Sequence, residues 1–575
     1  MRRLCACLAI FVAALTIYMA NGETISSYDT VPSTLFAYNL LEHHTLDFDR
    51  FRHGYFDALG GGYALVEAPD GHLSPVFPIG TALLTYPLYA AMYALDPPGE
   101  IASAHFELRR MRDEKRVAAT VAALSVVLLY LCALLLGTPL QAGIAAALFA
   151  FGTDTWMTSS QGLWQHGSVG LVTLGAIYAL LRAARAAPGR GRAGWLVLAG
   201  ACAGFLPVIR PTALVVGVAG GAYALATFRR ASLPFWIASA VAVAPGIVWN
   251  LAVFHVLSGG YAVNLPAYDF ALPDIAVAFT GLLASPSRGL LVFTPLVVFS
   301  AVGAFRAARA GGSEARLMLL MALACVALTV NYACTLIWEA GACYGPRFLT
   351  DTMGVAALLL VYVIPPAPRA LAAGTVVFAL VAAYSVAVQA VGAWGGAAGA
   401  RWNGVPIDIA RRPSRVWQLR DSQIERNVRG TYYHIIPDYP TRGAAYAAGF
   451  AGDVLAVTGP GGAPIAAAPG TSVDLTASVR NTGTSPWYGY PTAVYNGEAQ
   501  VRVRIVNARG ELVRTGLLYV DGAPRAGETG TALGTIALPA AAGTYRALLD
   551  VIAFGIPATA QRGDARALRI TFTLR

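Results

Sequence analysis

Long apolar runs separated by short arginine clusters decide what this chain can fold into. A membrane-spanning helix needs about 20 apolar residues, and runs near that length recur through the first 392 of 575 residues. Only 13% of the chain is charged, against about 25% in soluble proteins. The predicted fold class is therefore a polytopic α-helical membrane protein. Eleven runs qualify as full spans: 4–20, 76–95, 117–136, 167–182, 194–209, 212–228, 233–256, 290–306, 315–336, 347–364 and 369–392.

Lysine and arginine beside the runs predict the orientation, because cytoplasmic loops carry an excess of both. Arg2 and Arg3 place the N-terminus in the cytoplasm. Each later inner loop then has its own cluster, and the net charge of +10 is interpreted as this topology signal rather than as nucleic-acid binding. The clusters lie at 109–116, 182–192, 229–230, 306–316 and Arg369, which leaves 21–75, 258–289, 337–346 and 393–575 outside.

Two stretches leave alternatives open. The first run also resembles a signal peptide, with Arg2–Arg3, a short apolar region and small residues near Ala20. Residues 139–166 are predicted to start and end outside, yet 142–151 is too short to cross. We interpret this stretch as a re-entrant pair of half-helices. Irregular backbone at membrane depth is tolerated where it is buried in protein or lines a water-filled cavity.

The first outer loop, 21–75, is rich in acidic and aromatic residues, and a loop of this length usually has a function. Within it, Thr34–Leu41 has the apolar spacing of a short amphipathic helix on the membrane surface. Asp29 precedes that helix near headgroup level. Its carboxylate is either the general base of a group transfer or, with Ser27, a helix N-cap.

The stretch SYDTVPSTLFAYNLLEHHTLDFDRF resembles the first loop of GT-C fold glycosyltransferases. The segments SPVFPIGTALLTYPLY, LWQHG, SRGLLVFTP and GACYGPRFLTD are similar to a branch with the protein O-mannosyltransferases, the aminoarabinose transferase and the RgtA/B/C/D-like enzymes. The resemblance covers about residues 1–430. It implies an inverting transferase that uses a polyprenyl-phosphate sugar donor, with Asp29 as catalytic base. Because Asp29 is a single acid rather than a paired motif, no cofactor or metal ligand is assigned, and a divalent metal is left open.

A departing lipid phosphate needs positive charge, and arginine supplies it with a bidentate fork. Arg347 follows a Gly-rich loop at the outer end of a run, and Arg210 and Arg288 are similar outer-edge cations. The alternative for all three is interfacial anchoring. They predict a phosphate site only if they converge in space.

Other outer residues are candidates for substrate binding. His166, Gln165 and Trp164 end the re-entrant stretch and are expected to face the same cavity, the alternative for Trp164 being an interfacial aromatic belt. Glu339 and Tyr344 lie in the loop before Arg347. Glu339 and Asp351 flank Arg347 and would position the acceptor or neutralise the arginine.

The last third alternates polar and apolar residues between Gly, Asn and Pro turns, which is typical of short strands. We predict an extracytoplasmic linker over 393–440 and an antiparallel, Ig-like β-sandwich over 441–575. Asn481–Gly483 with Trp487 resembles an Ig-like NTG…W pattern. The β-domain binds carbohydrate or acceptor, or it is a stability or spacing module.

The predicted function is transfer of a sugar from a polyprenyl-phosphate donor to a glycan, lipid or protein acceptor, by an enzyme of the bacterial inner membrane. The C-terminal domain is predicted to be periplasmic or extracellular, and the partners include membrane lipid but no nucleic acid. One alternative is a transporter or flippase of lipid-linked saccharides, which should show internal repeats and mid-span charges. Another is a non-catalytic envelope scaffold that displays the β-domain.

Overall fold

The chain forms two compact units, Met1–Ala393 and Trp394–Arg575. The first is helical and the second contains an antiparallel sheet, which confirms the predicted fold class. The computed structural model describes residues 1–25, 27–52, 63–99, 104–261, 274–366, 373–435, 440–441, 443–459, 468–557 and 567–574.

The helical unit contains fifteen described α-helices and one short hairpin. The helices are α1 (Arg2–Met19), α2 (Val31–His43), α3 (Gly80–Leu95), α4 (Ala104–Ala133), α5 (Pro139–Phe151), α6 (Gln165–Arg185), α7 (Arg190–Ile209), α8 (Leu214–Phe228), α9 (Leu233–Phe254), α10 (Ile275–Ala284), α11 (Leu290–Phe293), α12 (Val297–Ala310), α13 (Gly312–Ala333), α14 (Met353–Leu360) and α15 (Ala373–Trp394). Strands β1 (Leu65–Glu67) and β2 (Leu73–Pro75) pair antiparallel in the first loop.

Six helical stretches of the described residues are long and apolar enough, by length and composition, to cross a membrane. One of them, Pro211–Phe254, contains two predicted runs, because a turn at Arg229–Ser232 separates α8 from α9. Two other predicted runs are broken into shorter helices, at Thr294–Leu296 and after a 3-10 turn at Arg347–Thr352. The total of eleven full spans stays a prediction. The six stretches are Phe106–Ala133, Gln165–Arg185, Arg190–Ile209, Pro211–Phe254, Gly312–Ala333 and Ala373–Trp394.

The arginine cluster at 109–116 was wrongly predicted to lie opposite the first loop. Nζ of Lys115 donates to Oδ1 of Asn21 at 3.1 Å, and Nη1 of Arg110 donates to Oγ1 of Thr34 at 2.8 Å. The cluster therefore lies at the end of the unit where α1 ends, here named the first-loop end. Helix α4 has 30 residues, about 45 Å at 1.5 Å per residue, so its first turns extend beyond a hydrocarbon core of about 30 Å.

Three of the five cations in this cluster, Arg109, Arg110 and Arg116, are paired with acids of the same helix. Arg110 forms ion pairs with Glu107 at 2.7 Å and with Glu114 at 2.8 Å. Asp113 pairs with Arg109 and with Arg116, at 2.6 and 2.9 Å. Arg110 and Lys115 are also buried in protein contacts on a helix, whereas the orientation rule concerns cations in loops.

Helix α2 confirms the predicted helix near Thr34–Leu41 but not its surface position. All residues from Val31 to Asn39 are buried, and α2 packs against α3 and α4. Nδ2 of Asn39 donates to the backbone of Asp47 at 2.6 Å, and Tyr38 donates to Asp113 at 2.5 Å. The helix is enclosed by protein rather than exposing a polar face.

Residues 139–166 begin with a half-helix, α5, followed by a π-helical turn over Thr155–Ser159. Nε2 of Gln141, at the start of α5, donates to the carbonyl of Ile364 at 2.7 Å. Nδ2 of Asn21, at the first-loop end, donates to Oε1 of Gln161 at 2.7 Å. Arg347 lies at the first-loop end, and Ile364 lies at the far end of the segment that begins with Arg347. Residues 139–166 therefore run from one end of the unit to the other. They do not turn back as the re-entrant interpretation expected.

The second unit contains a seven-stranded antiparallel sheet in the order β3-β4-β7-β6-β5-β8-β9. Strand β6 pairs with β5 along its length but with β7 only through Tyr519 and Val520, and β3 contacts β8 and β9. The sheet therefore folds over a core in which Trp487 is fully buried and stacks on Phe450 at 5.6 Å. The strands are β3 (Gly452–Thr458), β4 (Ser472–Asn481), β5 (Ala499–Val506), β6 (Leu512–Val520), β7 (Thr529–Ala537), β8 (Gly543–Ala553) and β9 (Leu568–Leu574).

Helices α16 (Gly396–Ala400), α17 (Gln423–Ile435) and α18 (Ala444–Gly449) precede this sheet. Ion pairs join residues before the predicted boundary at 440/441 to residues of the β-unit after it. Arg401 pairs with Glu498 at 3.2 Å, and Arg412 pairs with Asp474 at 3.4 Å. The described residues of this segment thus contribute contacts to the β-unit.

Candidate active site

Asp29 lies in a 3-10 turn, Tyr28–Thr30, between α1 and α2. The turn is capped by Ser27, whose Oγ accepts from the backbone N–H of Asp29 at 3.2 Å. The carboxylate of Asp29 is directed elsewhere, because its Oδ2 accepts from Nη1 of Arg347 at 2.7 Å. Ser27 therefore supplies the cap, and Asp29 is available for the site.

The Asp29 carboxylate is partly enclosed and strongly paired. Its side chain is 17% exposed, and that of Arg347 is 7% exposed. Tyr63 donates a second side-chain hydrogen bond to Oδ1. Burial raises the pKa of Asp29, but the charge of Arg347 and the hydrogen bonds from Tyr63, Arg347 and Ser27 outweigh burial and hold it below its ordinary value of 3.8. The carboxylate is accordingly ionised at neutral pH.

Arg347 is held by its loop as well as by Asp29. Nη2 donates to the carbonyl of Ala340 at 2.8 Å, and the guanidinium stacks over the Trp164 ring at 4.2 Å. Gly345, with φ of +64°, allows the turn two residues earlier, and a Cβ there would meet the Phe293 ring at 2.6 Å. These contacts fix the direction of the guanidinium.

A second cation, Arg210, lies in a buried chain of polar groups. Nη1 of Arg210 donates to Nε2 of His166 at 2.9 Å, and Nδ1 of His166 contacts Oδ1 of Asp351 at 2.8 Å. Because guanidinium can only donate, Nε2 of His166 accepts, and Nδ1 carries the proton that it donates to Asp351. Asp351 also accepts from the Tyr332 hydroxyl at 2.9 Å and lies 3.6 Å from Arg210. It therefore neutralises the second cation rather than acting only as a flank of Arg347.

The two cations and Asp29 line one small recess at the first-loop end. Trp164, Gln165 and His166, all predicted as substrate-binding residues, line it too. Of the three arginines whose convergence the phosphate hypothesis required, Arg347 and Arg210 line this recess and Arg288 does not. The remaining lining side chains are Phe77, Tyr261 and Phe348.

Arg288 is fully buried and belongs to the scaffold of the loop before Arg347. It donates to the carbonyls of Glu339 at 2.7 Å, Ser287 at 2.8 Å and Gly341 at 3.0 Å. Tyr344, in the same loop, is buried and donates to the carbonyl of Val388 at 2.7 Å. Arg288, Glu339 and Tyr344 are not among the residues that line the recess.

An apolar cavity of about 390 Å³ adjoins the recess and shares Arg210 and Tyr261 with it. Half of the residues that line it lie on α7, α8, α9 and α13, including Val208, Leu214 and Val243. Arg210 therefore places a cationic group at the wall of an apolar cavity.

Sequence reasoning missed Tyr63, Phe77, Tyr261 and Tyr332. Each is an aromatic residue in a chain that is 10% aromatic, and none has a spacing that separates it from core or interface residues. Their only signal was position, since Tyr63 and Phe77 lie in or beside the first loop.

Asp47, Asp49 and His72 form the group of acids and histidine, within the described part of the chain, whose ligand atoms lie within 4.8 Å of one another. Asp49 accepts from His72 at 2.6 Å and pairs with Arg52 at 3.3 Å. These contacts already satisfy its carboxylate, so the group is described as an ion-pair cluster of the first loop.

No protein-family model and no curated protein matches this chain. Among solved structures, the oligosaccharyltransferase AglB from Archaeoglobus fulgidus, determined with an inhibitory peptide and a dolichol-phosphate, matches at 14% identity and a TM-score of 0.42, over 72% of this chain and 59% of that one. ArnT from Cupriavidus metallidurans, bound to undecaprenyl phosphate, matches at 12% identity and a TM-score of 0.44, over 77% and 79%. The arabinosyltransferase EmbB from Mycobacterium smegmatis matches at 14% and 0.39, over 99% and 64%.

This chain thus spans about three fifths of the archaeal oligosaccharyltransferase that it matches. Its own fold and recess define a helical, membrane-type protein with a paired carboxylate and two arginines at one end.

Proposed function

We propose that the protein is a membrane glycosyltransferase that moves a sugar from a polyprenyl-phosphate donor to an acceptor at the outer face, with inversion. The observation that carries the proposal is the meeting of Asp29, Arg347 and Arg210 in one recess at the end of an apolar cavity. A lipid-phosphate sugar has the matching parts: an apolar chain, an anionic link and a sugar.

The donor phosphate is assigned to Arg210 and Arg347. Breaking the bond between sugar and phosphate leaves an extra negative charge on the phosphate, and prepositioned cations stabilise that charge in the transition state. Arg210 lines both the cavity and the recess, so a lipid chain in the cavity would bring its phosphate to this guanidinium.

Asp29 is assigned as the general base. An acceptor hydroxyl gains nucleophilicity as its proton moves to a carboxylate, while the sugar carbon develops oxocarbenium character. The acceptor oxygen then bonds to that carbon from the face opposite the departing phosphate, which inverts the configuration. Trp164, Gln165 and His166 line the same recess and are assigned to the sugar.

The localisation that goes with this function is an inner membrane of a bacterium, with the first-loop end and the β-domain outside the cytoplasm. A polyprenyl-phosphate sugar used at that face needs no nucleotide at the site. The chain agrees with this, since its sequence has no GxxxxGK[ST] phosphate loop. The acceptor class, whether glycan, lipid or protein, is part of the same test.

The proposal is tested by transfer of radiolabelled sugar from a mixed pool of polyprenyl-phosphate sugars to membrane acceptors. We expect activity in the wild type and a loss of about 10²–10⁴-fold in Asp29→Asn, the range for a general base. Asp70→Asn is the matched control, because Asp70 is an exposed acid of the same loop and should leave transfer unchanged. Full activity in Asp29→Asn would overturn the base assignment, and no transfer by the wild type from a broad donor panel would overturn the function.

A further inference from the structure

Asp154 is a fully buried acid that the proposed reaction does not use. It follows α5 and precedes the π-helical turn, and its side chain is 0% exposed. Its Oδ1 accepts from Nε2 of Gln389 at 2.8 Å. Among the described residues, no lysine, arginine or histidine forms an ion pair with it. An ionisable group held this way inside a helical membrane protein indicates a functional partner.

Buried side-chain oxygen atoms without partners lie on the segments that form this contact. Within the described residues, Oδ2 of Asp154 and Oε1 of Gln389 are buried and accept no hydrogen bond. The hydroxyls of Ser385 and Thr294 are likewise buried and have no hydrogen-bond partner among the described residues. Ser385 lies one turn before Gln389 on α15, and Thr294 follows Phe293, whose carbonyl accepts from Nε2 of Gln389 at 3.4 Å. Each of the four side chains is at most 1% exposed.

Two helices end beside the contact of Asp154 with Gln389. Helix α5 ends at Phe151, three residues before Asp154, and α11 ends at Phe293. A helix C-terminus carries partial negative charge and favours a cation. Interrupted helices inside membrane proteins use such ends and their freed carbonyls to coordinate Na⁺ or H⁺.

We propose that Asp154, Gln389, Ser385 and Thr294 bind one monovalent metal cation. The oxygen-only ligand set suits a hard cation, and the single carboxylate supplies the one negative charge that a monovalent ion balances in a low-dielectric site. A divalent ion would leave a buried positive charge uncompensated. This proposal does not depend on the glycosyltransferase function.

The site also connects to the loop that carries Arg347. The Tyr344 ring packs on Phe293 at 5.0 Å, and its hydroxyl donates to the carbonyl of Val388, next to Gln389. A bound cation would hold the break after α11 against α15, and with it the base of that loop. The expected consequence is stability of the folded unit.

The test is thermal unfolding of the full chain in detergent, with NaCl compared with N-methyl-D-glucamine chloride at equal ionic strength. We expect Na⁺ to raise the midpoint of the wild type by about 2–4 °C, saturating with concentration, as mass action requires for a specific ligand. Asp154→Asn should lose this shift. Thr173→Val is the matched control, because Thr173 is another buried side chain whose hydroxyl lacks a partner, and it should keep the shift.

Equilibrium binding of ²²Na⁺ to the purified wild type gives a second measurement that needs no variant to fold. One saturable site, lost in Asp154→Asn, supports the proposal. An equal midpoint in both salts, together with no saturable ²²Na⁺ binding, would overturn it and would mean that Asp154 is protonated and paired with the Gln389 amide.

Discussion

Oδ2 of Asp29 accepts a hydrogen bond from Nη1 of Arg347 at 2.7 Å, although 318 residues separate the two in the chain. The contact joins the first loop to the loop after α13. It places the cation where its charge lowers the pKa of the Asp29 carboxyl.

Replacing Arg347 with glutamine should reduce kcat for transfer by about 10²–10³-fold, the usual cost of removing one transition-state donor. Arg347→Lys should recover only part of this loss, since lysine keeps the charge but lacks the fork that binds Asp29 and Ala340 together. Steady-state transfer assays at equal expression measure both. Equal rates for lysine and arginine would contradict a bidentate role.

The pH dependence follows from the lowered pKa of Asp29. A base whose pKa lies below its ordinary 3.8 stays ionised until the medium is strongly acidic, so kcat/KM should be flat through neutral pH and fall only in acid. In Arg347→Gln the cation is lost while burial remains. The acid limb should therefore move to higher pH, and a limb that stays in place would show that Arg347 does not control this carboxyl.

Asp351→Asn should weaken donor binding without removing the base. A neutral amide at this position could not serve His166 and Tyr332 as the carboxylate does, so Arg210 would lose the chain that orients it. We expect KM for the donor to rise about tenfold, the scale of one charge-assisted hydrogen bond, with the acid limb unchanged. Thr350→Val is the control, because the buried Thr350 hydroxyl has no partner among the described residues.

The apolar cavity predicts a preference for long donors. Val243 lines the cavity, whereas Val241 on the same helix is 69% exposed. Val243→Trp should raise KM for a long polyprenyl donor by about tenfold through steric exclusion, with little change for a short-chain analogue. Val241→Trp should change neither value. Equal effects on long and short donors would assign the cavity a role other than binding the lipid chain.

Local sequence patterns were sufficient to select Asp29 and Arg347 as residues of the recess. Asp29 and Arg347 lie at the ends of apolar runs, where a charge has few structural reasons to occur, and both line the recess. Arg288 also lies beside an apolar run, yet its N–H groups donate to backbone carbonyls of the 339–341 loop. The fold of that loop, which the sequence pattern does not show, determines this role.

The less predictable features depend on contacts between distant segments. Charge counting treated Arg110 as a loop cation, although it is buried in ion pairs with Glu107 and Glu114, and so the count placed the cluster at the opposite end. The apolar spacing in α2 predicted an amphipathic helix on the membrane surface. Contacts with α3 and α4 instead bury its residues from Val31 to Asn39. Alternation and turn residues, which are local, were sufficient for the β-domain.

Helix α4 has a mechanical consequence. It is one continuous rod whose first turns hold α2 through the contact of Arg110 with Thr34, and whose later turns pack inside the helical unit against α5 and α6. Successive residues of a helix are rotated by about 100°, so a single residue inserted near its middle would turn Arg110 away from Thr34. The rotation of α4 about its axis therefore determines where the segment that begins with Asp29 is held. Arg110 exerts this effect although it lies far along the chain from the residues assigned to the sugar.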